Sequence, residues 1–346
     1  MDKKMLLKHC GSLEQVASVR PVIYCDGRAN GMRAVQVKNG PLEFSLMQDK
    51  CLDIATLSYK GINIGLLTKP GLQGRNPYDT HGSEAIRSIM GGAMFTCGFE
   101  NIHGPRTVEG TEYPMHGRMR TTPMEKVSMD ASFQNGEYVL QISGEGREAT
   151  LFGENLVLRR TIRTVYGENT IHIRDEIENQ AFRVEPLCFL YHINAGFPLL
   201  QAGCRFLIPH TRCRYNTEES KKMLGRHLTI TEPIDNAVEQ VYLYDMATDE
   251  NGKTFAALIN DELNLALCVR WNVHQIPYLT QWRSMASGDY GVALEPTNAD
   301  FNSRESNMVQ TLQPLGIHIN EYSITVLDGK ENIVQLDKEY EILLEQ

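Results

Sequence analysis

A chain of 346 residues, 42% hydrophobic and 22% charged, can bury one large core or two ordinary ones. Its 34 Lys+Arg against 43 Asp+Glu give a net charge of −9, which argues against a nucleic-acid footprint or an anionic-membrane patch. The eight cysteines form no CxxC or zinc-like pairing, and several sit in apolar runs such as Leu187-Cys188-Phe189, where reduced Cys packs as a small hydrophobe. Met1–His9 lacks the apolar core of a signal peptide and no run approaches a membrane span, so the expectation is a reduced, soluble, cytoplasmic protein.

Residues 11–20 suggest one short helix capped by Ser12, and residues 1–20 an N-terminal extension. From Pro21 onward strand signals dominate. Ala34–Val37, Leu42–Met47, Leu52–Tyr59 and Ile62–Leu67 are β-rich runs separated by Asn39-Gly40-Pro41, Asp49-Lys50 and Lys60-Gly61. Residues 68–123 are rich in Gly, Pro and Asn, with a short helical run expected over Ser83–Met94. Long looped regions of this kind tend to carry function. After them the β pattern returns at Tyr138–Ser143, and Leu156–Val165 and Thr170–Glu178 read as a hairpin. A strand at 187–194 follows, then Cys204–Ile208, Gln240–Tyr244, Thr254–Ile259, Ala266–Trp271, Tyr278–Trp282, Gly291–Glu295 and His318–Val326. About fifteen strands with almost no helix, no linker and no repeat predict an all-β fold, a large antiparallel β-sandwich forming a single domain over 1–346.

Four places hold polar groups that a β core does not need. In the strand 187–194, period-two alternation puts Leu187, Phe189, Tyr191 and Ile193 on one face and Cys188, Leu190, His192 and Asn194 on the other. His192 and Asn194 must find partners inside the protein or face a polar ligand, since burying either alone costs roughly 2–7 kcal/mol. Pro114-Met115-His116-Gly117-Arg118 closes the looped region, and a His followed by Gly suggests a turn or close backbone approach. Arg87 precedes Gly91-Gly92 and reads as a solvated charge or a carboxylate partner. In Tyr290–Asn298, Gly291, Ala293 and Glu295 share a face, which leaves room above a carboxylate. Trp282 adds an aromatic plate suited to the C–H face of a sugar, or to plain core.

Taken in order, Asp49–Ile54, Gly91–Gly98, Pro114–Arg118, Leu190–Pro198 and Leu294–Asn298 resemble the galactose mutarotase (aldose 1-epimerase) superfamily, closest to its divergent branch described as a domain of unknown function. The resemblance covers about residues 40–300. It implies a β-supersandwich with a sugar groove, Glu295 as general base, His192 as general acid, His116 as a second catalytic histidine and Arg87 as a substrate-binding residue. Asn194, Arg118 and Trp282 are further substrate-binding candidates. Two features depart from the family. Its Asn-rich segment before His-Gly is replaced by Gly98–Pro105, and its sugar-binding Asp has no clear equivalent.

The expected reaction is anomer interconversion of a monosaccharide or derivative. Ring opening needs a base at the anomeric hydroxyl and an acid at the ring oxygen, expected on opposite sides of the sugar, each contributing about 10²–10⁴-fold. No metal, redox cofactor or covalent intermediate is required. The expected partner is a small-molecule sugar, without nucleic acid or membrane and with room for a homodimer. The alternatives are a glycoside hydrolase or lyase on a related sandwich, for which Asp53, Asp175 and Asp300 are candidate second carboxylates, and a carbohydrate-binding protein without turnover.

Overall fold

The computed structural model describes residues 3–74 and 81–345. Two large antiparallel sheets dominate it, of twelve and eight strands. In the larger sheet the central neighbours run Asp53–Tyr59, Met94–Phe99, Glu185–Ala195, Asp289–Thr297, Tyr278–Ala286 and Gln240–Met246. In the smaller one Glu137–Ala149, Asn155–Val165, Thr170–Asn179, Ile317–Asp328 and Leu265–Asn272 are successive neighbours. The sheets pack face to face, which is the all-β sandwich expected from so many short alternating runs.

The interior between the sheets takes one face of each strand. Leu187, Phe189, Tyr191 and Ile193 belong to this core together with Leu140, Ile162 and other smaller-sheet residues. Cys188 and Leu190, on the opposite face, pack in a separate cluster with Phe95 and Cys97. Each fully buried aliphatic or aromatic side chain contributes roughly 1.5–3 kcal/mol, so the alternation fixes which face of Glu185–Ala195 turns inward. His192 and Asn194 therefore point away from the inter-sheet core.

One charged cluster is sealed between the sheets. Arg160, fully buried, donates from Nε and Nη2 to Asp175 at 2.8 and 2.6 Å, and from Nη1 to the Cys51 carbonyl at 2.8 Å and Asp53 at 3.0 Å. Asp53 also accepts the Thr96 amide at 3.0 Å and its hydroxyl at 2.7 Å. Burial pushes the Asp53 carboxyl up to about 6, against the opposing pull of Arg160. Asp53 and Asp175 are thus locked into a structural network, and neither is available as a second catalytic carboxylate. Asp300 accepts the Asn302 amide at 2.8 Å in the turn that follows Asp289–Thr297.

Other elements differ from the sequence reading. The helix expected over 11–20 shrinks to one 3-10 turn, Leu13–Gln15, capped by Ser12, and Ser18–Ile23 is already a strand. Lys3–His9 is helical instead. Ser83–Met94 is not a helix: a single turn over Glu84–Arg87 leads to the strand Met94–Phe99. Twenty-four strands are described where about fifteen were expected, because edge strands and two-residue pairings carry little apolar signal. A 16-residue helix, Lys330–Glu345, was not anticipated. Its Ile333, Leu336 and Leu343 cover Phe255, Ala257 and Ile259 on the outer face of the smaller sheet. No helix among the described residues is long and apolar enough to cross a membrane.

Candidate active site

The site lies on the outer face of the larger sheet and is laid out by strand register. Ile193 pairs with Leu294, which sets His192 beside Glu295 on neighbouring strands. Phe95 pairs with His192 on the other side, and their rings stack at 4.3 Å. One row along, Asn194 pairs with Ala293, Ala293 with Trp282, and Trp282 with Val241. Ala293, fully buried, lies between Asn194 and Trp282 in this row. Together these rows form the base of a cleft of about 400 Å³.

The looped region supplies the opposite wall, with Thr68, Ile86, Ile89, His103 and His116. His116 has φ +60° and Gly117 φ +67°, and a Cβ on Gly117 would sit 2.5 Å from the Gly98 carbonyl oxygen and 2.6 Å from that of Asn101. Only glycine fits there. His116 donates its amide to the His103 carbonyl at 2.8 Å and accepts from the Gly98 amide at 3.1 Å. These backbone bonds place its ring 5.9 Å from that of His192, nearly edge-on. Its Nδ1 lies 3.3 Å from the Cys97 sulfur.

His192 Nε2 lies 3.0 Å from Glu295 Oε1. The approach is not aligned as a hydrogen bond, and His192 Nδ1, Glu295 Oε1 and His103 Nε2 are buried without a hydrogen-bond partner among the described residues. Buried polar atoms are normally satisfied; exceptions occur elsewhere too, as at Glu148 and His227, but three in the walls of one cleft make it a candidate for a polar ligand. Burial, then the neighbouring His192 and His103, holds the His116 imidazole well below its usual value, and burial takes His103 down to about 4. Both are neutral at pH 7. No three His, Cys, Asp or Glu side chains among the described residues are placed to share a metal ion.

The expected residues divide cleanly. His116, His192, Asn194, Trp282 and Glu295 converge on the cleft. His192 and Glu295, expected as acid and base on opposite sides of a sugar, stand side by side on adjacent strands. Arg87 does not line the cleft; its exposed guanidinium pairs with Glu84 at 3.4 Å while its neighbours Ile86 and Ile89 face inward. Arg118 also stands apart, bonded to the buried Glu100 in a separate recess. Two ionisable lining residues were missed, His103 and Glu239. His103 sits in its own His-Gly pair, which was the available signal; Glu239 is an ordinary loop glutamate in sequence. A larger recess of about 770 Å³ on the smaller sheet contains none of these groups, so size alone does not select the site.

Residues 29–326 match the profile of the domain of unknown function DUF4432. The chain belongs to that family. A Klebsiella pneumoniae protein provisionally assigned as an aldose 1-epimerase superposes with a TM-score of 0.89 at 22% identity, covering 95% of this chain and 88% of that one. A galactose mutarotase-like protein from Clostridium acetobutylicum gives 0.63 at 15% identity over 91% and 99% of the two chains. A galactose 1-epimerase from Lactobacillus acidophilus gives 0.59 at 12% identity over 90% and 99%. No curated protein matches by sequence. The DUF4432 chain therefore has the galactose mutarotase-like fold.

Proposed function

We propose that this DUF4432 protein is an aldose 1-epimerase-like isomerase that opens and recloses the ring of a monosaccharide. The observation that carries the reading is the contact of His192 Nε2 with Glu295 Oε1 at 3.0 Å inside a cleft with unsatisfied walls. The anomeric oxygen and the ring oxygen are both bonded to C1, so the base and the acid that serve them must be neighbours. Two groups on adjacent strands meet that requirement. Glu295 takes the proton of the anomeric hydroxyl, the C1–O1 bond becomes a carbonyl as the C1–O5 bond breaks, and O5 takes a proton from His192. The open aldehyde turns about C1–C2, and reclosure returns both protons with the roles exchanged.

The remaining groups bind and orient. His116, neutral at working pH, offers a hydrogen bond to a sugar oxygen rather than a cationic proton donor. Asn194 stands one row from the reacting pair with its amide nitrogen bonded to the His192 carbonyl at 3.0 Å. The Trp282 ring, 5.9 Å from that of His192, provides a plate for a sugar's C–H face. Arg87 and Arg118 have no part in this reading.

A glycoside hydrolase is the second reading, because Glu239 puts a second carboxylate on the cleft wall. Hydrolysis needs two such groups flanking the scissile bond. The test is polarimetry on freshly dissolved single anomers of a panel of neutral aldoses, run beside release of nitrophenol from the matching glycosides. Accelerated mutarotation without cleavage is expected. Cleavage that disappears in Glu239→Gln would favour the hydrolase, and sugar binding without either activity a binding protein.

A further inference from the structure

Trp282, half-buried on Tyr278–Ala286, lines two adjoining cavities. The cleft of about 400 Å³ and a second chamber of about 760 Å³ share Leu66, Thr68, Ile86, Ile89, Glu239 and Trp282 as walls. A ring that borders open space is held by packing only in part, and the terminal torsion of an aromatic side chain is broad. One directional bond restrains it: the indole Nε1 donates to Glu239 Oε2 at 2.7 Å. Glu239 comes just before Gln240–Met246, the strand on which Val241 is the cross-strand partner of Trp282. The carboxylate therefore reaches the indole from the adjacent strand.

We propose that Glu239 is a positioning residue that pins the Trp282 plate against the sugar cleft and so sets the cleft's affinity for its sugar. The proposal rests on the isomerase reading for its substrate, but not for its structural content. Glu239 works through Trp282, so an uncharged side chain that keeps the acceptor oxygen should serve nearly as well. In Glu239→Ala the ring is free to turn toward the second chamber, and the stacking face presented to the sugar is lost.

The chain has two tryptophans, and Trp271 is buried with its Nε1 bonded to the Ile276 carbonyl at 2.9 Å. Acrylamide quenching therefore reports chiefly on Trp282. The experiment compares wild type, Glu239→Gln and Glu239→Ala by quenching, by binding of the best sugar from the aldose panel, and by mutarotation. Glu239→Ala is expected to raise the quenching constant, weaken binding and raise KM by about 3- to 10-fold with kcat moving much less, and Glu239→Gln to restore all three. Equal loss of kcat in both variants with unchanged quenching would overturn the proposal and make Glu239 a reacting carboxylate. Unchanged quenching and binding in Glu239→Ala would overturn it as well. Quenching and binding are read without turnover, so a wild-type protein that binds sugar but does not interconvert its anomers would sink the isomerase reading and leave this one standing.

Discussion

The molecule holds two acid–base clusters that look alike in composition and differ in completion. Between the sheets, the Asp53–Arg160–Asp175 network is sealed, with three Arg160 nitrogens and both Asp53 oxygens in hydrogen bonds. On the outer face, His192 and Glu295 touch at 3.0 Å yet leave His192 Nδ1 and Glu295 Oε1 unsatisfied. A buried network that meets all its own needs fixes geometry. One that does not is poised to exchange protons with something else. The contrast supports the proposal that the first cluster serves stability and the second chemistry, although both are built from strand residues facing their neighbours.

The largest effect should come from opening the sealed cluster. Arg160→Met leaves two carboxylates in the core without their cation, and a stability loss of about 3–5 kcal/mol is expected in denaturant titration. A variant as stable as wild type would erase the distinction between the clusters. Next is His192→Gln, which removes the acid from the open cluster. Its mutarotation rate should fall by about 10²-fold or more, with a melting temperature close to wild type. Loss of folding instead of rate would make His192 a structural residue.

A smaller effect concerns pH. His103 and His116 are neutral in the fold, with imidazoles held below their unfolded value by burial. Below about pH 6.5 the unfolded chain binds protons that the native one refuses, so their contribution is present above that pH and lost as pH falls through the folded values, about 4 for His103. Asp53 and Glu148, whose values are raised by burial, act in the opposite sense. The difference in melting temperature against pH between wild type and His116→Gln isolates the imidazole, and the variant should show the shallower decline on acidification. The smallest effect is expected for Arg87→Ala, an exposed charge outside the cleft, with activity unchanged and stability within about 0.5 kcal/mol. A marked rise in KM there would show that the cleft extends further than its described walls.

Much of this contrast was legible in the sequence because strands report their faces. Leu42–Met47 was read to the residue, and alternation placed His192 and Asn194 opposite Tyr191 and Ile193. Of Gly291, Ala293 and Glu295, expected to leave room over a carboxylate, Glu295 does line the cleft, while the Leu66 side chain sits over Gly291. Where period two is lost, the reading failed. Met94–Phe99 is buried at every position, so its pattern is continuous rather than alternating. Glu125–Gln134 does alternate, with Val127, Ala131 and Phe133 packed against the core, but it lies half-exposed at the sheet edge and was not read as a strand. Ile333, Leu336 and Leu343 did carry helical spacing, but with so many charges between them that the segment passed for surface. Arg87 and Glu239 mark the limit for loops. A loop side chain's direction depends on backbone turns that composition does not encode, so the expected cation points away and an unremarked glutamate points in.

The most direct test of the isomerase reading is anomer exchange measured by NMR on wild type and Glu295→Gln in the same sugar, beside a melting curve of each. Glutamine keeps the shape of the side chain and removes the basic carboxylate. The account predicts that wild type accelerates exchange, while Glu295→Gln melts near wild type, still binds the sugar and is slower by about 10²-fold or more. A well-folded Glu295→Gln protein that exchanges anomers at the wild-type rate would contradict it.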